Sequence, residues 1–245
     1  MRFGWLWVVV VVVGCLVLEI DVQRVHGQAY LFDFGDATIS QPEHVNVVAY
    51  NNQHVDDVID ETGASHGIGF HLTSDTGFNE IGINSNGPNP PEGTMAALFS
   101  VEMTRDNLFG HSDNFNVGAP RPSAEFTLSG LDPTGATAYS FIFSAGRTGV
   151  TDNRETQYEV IGRTAGLSFL DASSNTSEVA FMEPIVPDVN GELKLIVRAG
   201  PSNTNGSKFY YLGAMRMDTV AIPEPSGVLM FVCGGTLLGL LRRRS

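Results

Sequence analysis

Through the middle of the chain, short apolar runs alternate with polar residues and are separated by Gly, Pro, Asn and Asp. In Ala124-Glu125-Phe126-Thr127-Leu128 the apolar side chains fall on every second position, as a half-buried strand requires. Leu193, Leu195 and Val197 repeat the pattern among Glu192, Lys194 and Arg198. The same reading predicts strands at Ala29–Phe34, Val45–Tyr50, Gly67–Leu72, Ala124–Leu128, Tyr139–Ser144, Glu155–Ile161, Glu178–Met182, Glu192–Ala199 and Phe209–Met217. Gly130 to Gly135 is a turn by composition. Thr94 to Leu108 departs from the pattern: Met95, Leu98, Val101 or Glu102, and Arg105 stand at helical spacing behind a possible N-cap, Thr94. The expectation is an all-β fold, a single antiparallel β-sandwich over residues 28–220 with at most two short helices. Phe126, Leu128, Phe141, Phe143, Leu195 and Val197 should then be buried. No internal repeat is evident, and the loop Asn84 to Gly93 does not divide the chain into two domains.

The two ends are apolar in a different way. Trp5 to Leu18 is one uninterrupted block behind Arg2, followed by polar residues and Val25-His26-Gly27. This is the layout of a secretory signal peptide, residues 1–27, cut after Gly27 or, alternatively, after Ala29. Two other readings stay open: an uncleaved anchor, and lipidation of Cys15, since Val12-Val13-Gly14-Cys15 resembles a lipobox. At the other end, residues 226–241 carry no charge and Arg242, Arg243 and Arg244 follow. As a helix this segment spans about 24 Å, slightly short of a bilayer core of roughly 30 Å. Flanking residues and snorkelling arginines can supply the rest. The arginines belong on the cytoplasmic side, which places the bulk of the chain outside.

Pro223-Glu224-Pro225, the Gly-rich apolar stretch and the arginine end, in that order, resemble the PEP-CTERM family of bacterial sorting signals. The resemblance covers residues 222–245 and assigns 221–245 to the sorting signal. It implies recognition by an exosortase, a membrane-embedded cysteine protease or transpeptidase, in a bacterium that makes extracellular polysaccharide. The same tail has been described as a C-terminal domain of ice-binding proteins, a label for the tail alone. An ordinary tail anchor is the other reading.

Cysteine usage narrows the chemistry. Both cysteines, Cys15 and Cys233, lie in the apolar ends. Residues 28–222 therefore have no internal disulfide, cysteine–zinc site or cysteine nucleophile. That span holds nine of the fourteen basic residues and twenty-four of the twenty-seven acidic ones, a net charge near −15. Such a surface disfavours nucleic acid and anionic polymers as partners, and suits solubility, cations or neutral glycans.

Two further resemblances concern the sandwich. Phe32-Asp33-Phe34-Gly35 resembles the opening strand of galactose-binding-like jelly rolls. Phe126 to Pro133, Thr151 to Thr156, Asn190 to Leu193 and Phe209 to Ala214 resemble phrases of secreted bacterial β-sandwich modules. These imply a jelly-roll or carbohydrate-binding-like module and bring no agreed ligand with them.

Candidate chemistry is sparse. His66 and His71 sit five apart, on opposite faces of an extended strand, so they do not form a metal pair. No Gly-x-Ser-x-Gly elbow and no His-Glu-x-x-His motif is present. Asp56, Asp57, Asp60 and Glu61 form one acidic stretch, but a glycosidase needs carboxyls facing each other across a cleft. No cofactor is expected beyond a possible structural calcium at Asp33 and Asp36 on the sandwich edge. Arg147, Asp152, Asn153 and Arg154, with Tyr210 and Tyr211, supply the donors and planar surfaces a glycan site needs. An Arg–carboxylate pair bracing a hairpin is the plainer reading of the same residues.

The chain therefore reads as a non-enzymatic exported protein. It is held in the cytoplasmic membrane by residues 226–241 and then processed into the envelope or matrix. A cell-surface glycan-binding module is the first alternative, and a polysaccharide hydrolase or lyase the second. Exosortase, the membrane and extracellular polysaccharide are the expected partners.

Overall fold

The computed structural model describes residues 27–38, 42–74, 77–80, 83–115 and 119–223. The signal segment (residues 1–26), the apolar tail (226–241) and Glu224, Pro225, Arg242, Arg243 and Arg244 lie outside the described residues. Among the described residues no helix is long and apolar enough to cross a membrane.

The chain is all-β. Its strands are β1 (Ala29–Gly35), β2 (Val45–Ala49), β3 (His54–Ile59), β4 (Ser65–Leu72), β5 (Leu108–His111), β6 (Ser123–Ser129) and β7 (Thr137–Ser144). They continue with β8 (Glu155–Ile161), β9 (Ala165–Asp171), β10 (Ala180–Ile185), β11 (Leu193–Ala199), β12 (Phe209–Leu212) and β13 (Ala214–Ala221). One sheet has the order β10-β7-β13-β1-β2, a second β3-β4-β6-β11-β8-β9, and β12 and β5 form a two-stranded ribbon.

Alternation dictates the core. Phe126 and Leu128 on β6, Leu195 and Val197 on β11, and Phe141 and Phe143 on β7 are all fully buried, as their spacing predicts. The two large sheets meet through aromatic pairs. Phe32 on β1 lies 5.3 Å from Phe70 on β4, and Phe143 on β7 stacks on Tyr158 of β8 at 4.5 Å. Such offset contacts add about 0.5–1.5 kcal/mol each beyond the area they bury.

The outer face of the five-stranded sheet is covered as well. Phe99 and Met103 pack with Ile142 and Ala214 in a second, smaller core, with Leu31 and Val45 at its border. The cover is a 3-10 turn, Met95–Leu98, followed by α1, Val101–Thr104. This corrects the single helix expected over 94–108. Phe99 is extended and breaks it, and Ser100, not Thr94, is the working cap, accepting from the Met103 amide. The Thr94 hydroxyl instead donates to the Pro91 carbonyl.

Three other expectations change. The sandwich is not wholly antiparallel: β2 returns parallel to β1 at the sheet edge, the chain between them being long enough to carry it back. The strand expected over Phe209–Met217 is two strands broken at Gly213, one in the ribbon and one in the five-stranded sheet. β3, β5 and β9 were not expected. In β3 the register slips between Val55 and Val58 and again before Ile59, which erases the alternation.

Candidate functional site

The ribbon β5–β12 carries a cleft on one of its faces. Tyr210 faces inward, donating its hydroxyl to the Arg121 carbonyl at 3.0 Å. Its ring lies over Gly110 of β5, where a Cβ would come within 2.1 Å of it. Burial pushes the Tyr210 phenol well above its ordinary range. With Tyr210 turned in, strand alternation turns Phe209 and Tyr211 to the opposite face. β12 is pinned from behind: the Tyr158 hydroxyl donates to the Tyr211 carbonyl at 2.8 Å, and the Tyr211 amide to Thr156 Oγ1 at 3.0 Å.

On the outward face, Phe115 meets Phe209 edge-on at 4.8 Å and Phe109 meets it at 5.9 Å. Arg154 lies over the Phe209 ring, 5.4 Å from its centre. Its Nε donates to both oxygens of Asp152, at 3.1 and 3.2 Å, and its Nη1 to the Tyr211 hydroxyl at 2.6 Å. These partners outweigh burial and raise the Arg154 pKa further. Burial works against the ionised Asp152 carboxyl, but the bonds from Asn205 and Arg154 win and lower its pKa. Asn205 donates to Asp152 at 2.5 Å and, through its carbonyl, accepts from the Ser207 amide at 3.0 Å, so the 203–208 loop sets the carboxylate.

Arg147 completes the wall. Its backbone is tied to Ala172 and its Nη1 donates to the Thr148 carbonyl at 2.6 Å. Among the described residues it has no carboxylate partner, and of the two arginines only Arg154 pairs with Asp152. The cleft between Phe109, Phe115, Phe209, Tyr211 and the two arginines, with Ile83 and Asn84 as its far wall, encloses about 310 Å³. It offers aromatic faces, one guanidinium braced by Asp152 and Tyr211, and one whose further donors are unused among the described residues.

Of the residues the sequence nominated, Arg147, Arg154 and Tyr211 line the cleft. Asp152 stands behind Arg154 as its brace. Asn153 is a loop residue, its side-chain carbonyl accepting from the Glu155 amide at 2.9 Å. Tyr210 points into the core. Sequence reasoning missed Phe109, Phe115, Phe209, Ile83 and Asn84. Phe209 had a signal: in Phe209-Tyr210-Tyr211 adjacent residues must face opposite ways, so Phe209 accompanies Tyr211.

The acidic stretch does not form a site. Asp60 builds its own turn, accepting from the Thr62 and Ala64 amides and from the Thr62 hydroxyl. It also bonds His66 at 2.9 Å. The Thr62 hydroxyl first, then His66, holds the Asp60 carboxyl below the usual carboxylate range. Asp57 accepts from Ser65, Asp56 lies 3.8 Å from His71, and Glu61 lies 3.8 Å from Arg216. His66 and His71 thus have separate partners. Among the described residues no group of three or more His, Cys, Asp or Glu gathers to hold a metal ion.

No protein-family model matches the chain. No curated protein matches it either. Among solved structures, the CBM35 from Cellvibrio japonicus Abf62 aligns with 64% of this chain and 98% of that one, at 11% identity and a TM-score of 0.29. A likeness that slight carries neither a fold nor a ligand across.

Proposed function

We propose that this chain is a non-enzymatic, exported ligand-binding protein whose aromatic–arginine cleft takes a saccharide unit. The observation that supports the reading is the cleft itself. A sugar ring presents an apolar C–H face suited to Phe209 or Phe109, and an edge of hydroxyls suited to fixed donors. Arg154 is held by Asp152 and Tyr211 and so presents its guanidinium without further loss of freedom. A glycan array probed with the full-length chain in mild detergent tests the proposal. Retention of a defined set of glycans, weakened about tenfold or more by Phe209→Ala, is expected, a factor of ten being about 1.4 kcal/mol. Retention of no glycan, or equal retention by Phe209→Ala, would sink it.

The tail carries a second, separate proposal: sorting by an exosortase into the envelope or matrix, for which Pro223-Glu224-Pro225 and the arginine end are the motive. Pro225 lacks an amide donor, so a helix could begin at it but not run through it. Replacing the tripeptide with alanines should leave export intact and abolish maturation in a host with an exosortase. Unchanged trimming and release would reduce the tail to an anchor.

A further inference from the structure

Two carboxylates are buried under the helical cover of the five-stranded sheet. Asp33 sits at the centre of β1 and is 0% exposed; Asp106, just after α1, is 1% exposed. Asp33 pairs in register with Ala214, a residue of the smaller core, so its side chain leaves the sheet on the outer face. Among the described residues, both oxygens of Asp33 and Oδ1 of Asp106 have no hydrogen-bond partner. The remaining oxygen, Oδ2 of Asp106, accepts from the Asp36 amide at 2.9 Å. An unpartnered buried carboxylate is costly, and two together more so. Burial, and then the charge of Asp106, pushes the Asp33 carboxyl up to about 8. The neighbouring cation, Arg105, is exposed and forms an ion pair with neither residue among those described.

The surroundings are shaped around these oxygens. Gly35 lies against the Asp106 carboxylate, and a Cβ at Gly35 would fall 2.6 Å from both of its oxygens. A side chain at that position would close the space the carboxylate occupies. Asp36 is not the second acid that the sequence suggested. Its carboxylate is turned outward to accept from the Thr38 amide at 2.9 Å, and only its backbone N–H reaches Asp106.

We propose that Asp33 and Asp106 hold a hard divalent cation, calcium, between β1 and the segment after α1. Two carboxylates supply at most four oxygens. Calcium takes six to eight, so backbone carbonyls and water complete the shell, and no third acid is required. The positive charge would answer the unpartnered oxygens directly. It would also join the end of β1 to Asn107, whose backbone pairs with Asn84 on the far wall of the cleft. The cation thus becomes a tie between the sheet and the binding end.

The test is calcium titration of the EDTA-stripped full-length chain in detergent, read by calorimetry and by thermal melting, with magnesium as a parallel arm. One calcium per chain is expected, with a rise in Tm of about 5–10 °C at a hundredfold excess over Kd. Asp33→Asn and Asp106→Asn should each abolish the rise. In EDTA both should melt at or above the parent, because one of two repelling carboxylates is gone. A parent that binds no calcium overturns the proposal. So does a response that survives in both variants, or a magnesium response larger than the calcium one. A parent whose melting follows pH and ignores calcium also overturns it, and assigns a shared proton to the pair instead. Should either variant fail to fold, the parent titration decides.

Discussion

Two polar stretches, 147–155 and 56–66, look alike along the chain and behave differently in space. In the first, Arg147 and Arg154 come from the two sides of one loop and meet Tyr211, which is distant in sequence, at one end of the sandwich. In the second, Asp56, Asp57, Asp60 and Glu61 scatter to four separate partners. The difference lies in what satisfies each group. Arg154 divides its donors between Asp152, two residues back, and Tyr211, brought in from β12, so it ties the loop to the ribbon and organises a site. Asp60 is satisfied mainly by the amides and hydroxyl of its own turn, so it organises a turn. Clustering in sequence gathers charge, but convergence needs at least one partner from a remote element, as Tyr211 is for Arg154.

Arg154→Ala should break the comparison most severely. It strips Asp152 and Tyr211 of a part-buried partner, and should cost about 3 kcal/mol in chemical denaturation and abolish saccharide retention. Arg154→Lys should recover little of either, since an ammonium cannot grip Asp152 and Tyr211 together in a planar fork.

The neighbours Tyr210 and Tyr211 give a finer cut. Tyr210→Phe leaves the Arg121 carbonyl without its phenol donor and should cost about 1 kcal/mol of stability, with binding unchanged. Tyr211→Phe frees one donor of Arg154 and should weaken saccharide binding a few fold at smaller cost in stability. Equal effects of the two on binding would mean that the face assignment of β12 is wrong.

The smallest effect belongs to the acidic turn. The Asp60 carboxyl is held below its ordinary value in the folded chain. Its stabilisation is therefore present above the unfolded carboxylate value of about 4 and fades as pH falls below it. Asp60→Asn should lower the melting temperature at neutral pH and flatten its decline below pH 4. Glycan retention should not change. A loss of retention in this variant would tie the two regions together after all.

Much of the architecture was legible because alternation is strict where both neighbours of a strand are regular. Phe126 and Leu128 on β6 are examples, their strand flanked by β4 and β11. It failed where a strand bulges, as in β3, or where the alternation points outward. Leu167 and Phe169 of the edge strand β9 are 54% and 41% exposed, and no core periodicity marks them. The break at Gly213 was hidden for another reason. A side chain there would fall 2.6 Å from the Asn107 side-chain oxygen, a tertiary constraint that no local pattern carries. The cleft was half legible: charged loop residues stand out in a sequence, whereas Phe109 and Phe115 look like any core aromatic until the ribbon is drawn. The buried pair was half legible too, with Asp33 in view and Asp106 masked by the helix expected over it.

The pairing of β1 with β13 sets a schedule for folding. β1 lies between β2 and β13, and β13 lies between β1 and β7, so the last strand of the sandwich occupies the middle of its sheet. Until Ala214–Ala221 is available, Phe32 and Phe34 have a partner strand on one side only, and β7 lacks the neighbour that joins it to β1. Closure of this sheet links residues almost two hundred positions apart, the kind of non-local contact that makes β proteins slow to fold. A nascent chain complete up to β12 still holds an open sheet with a hydrophobic gap at its centre. Assembly of this sheet is therefore gated by arrival of the final strand.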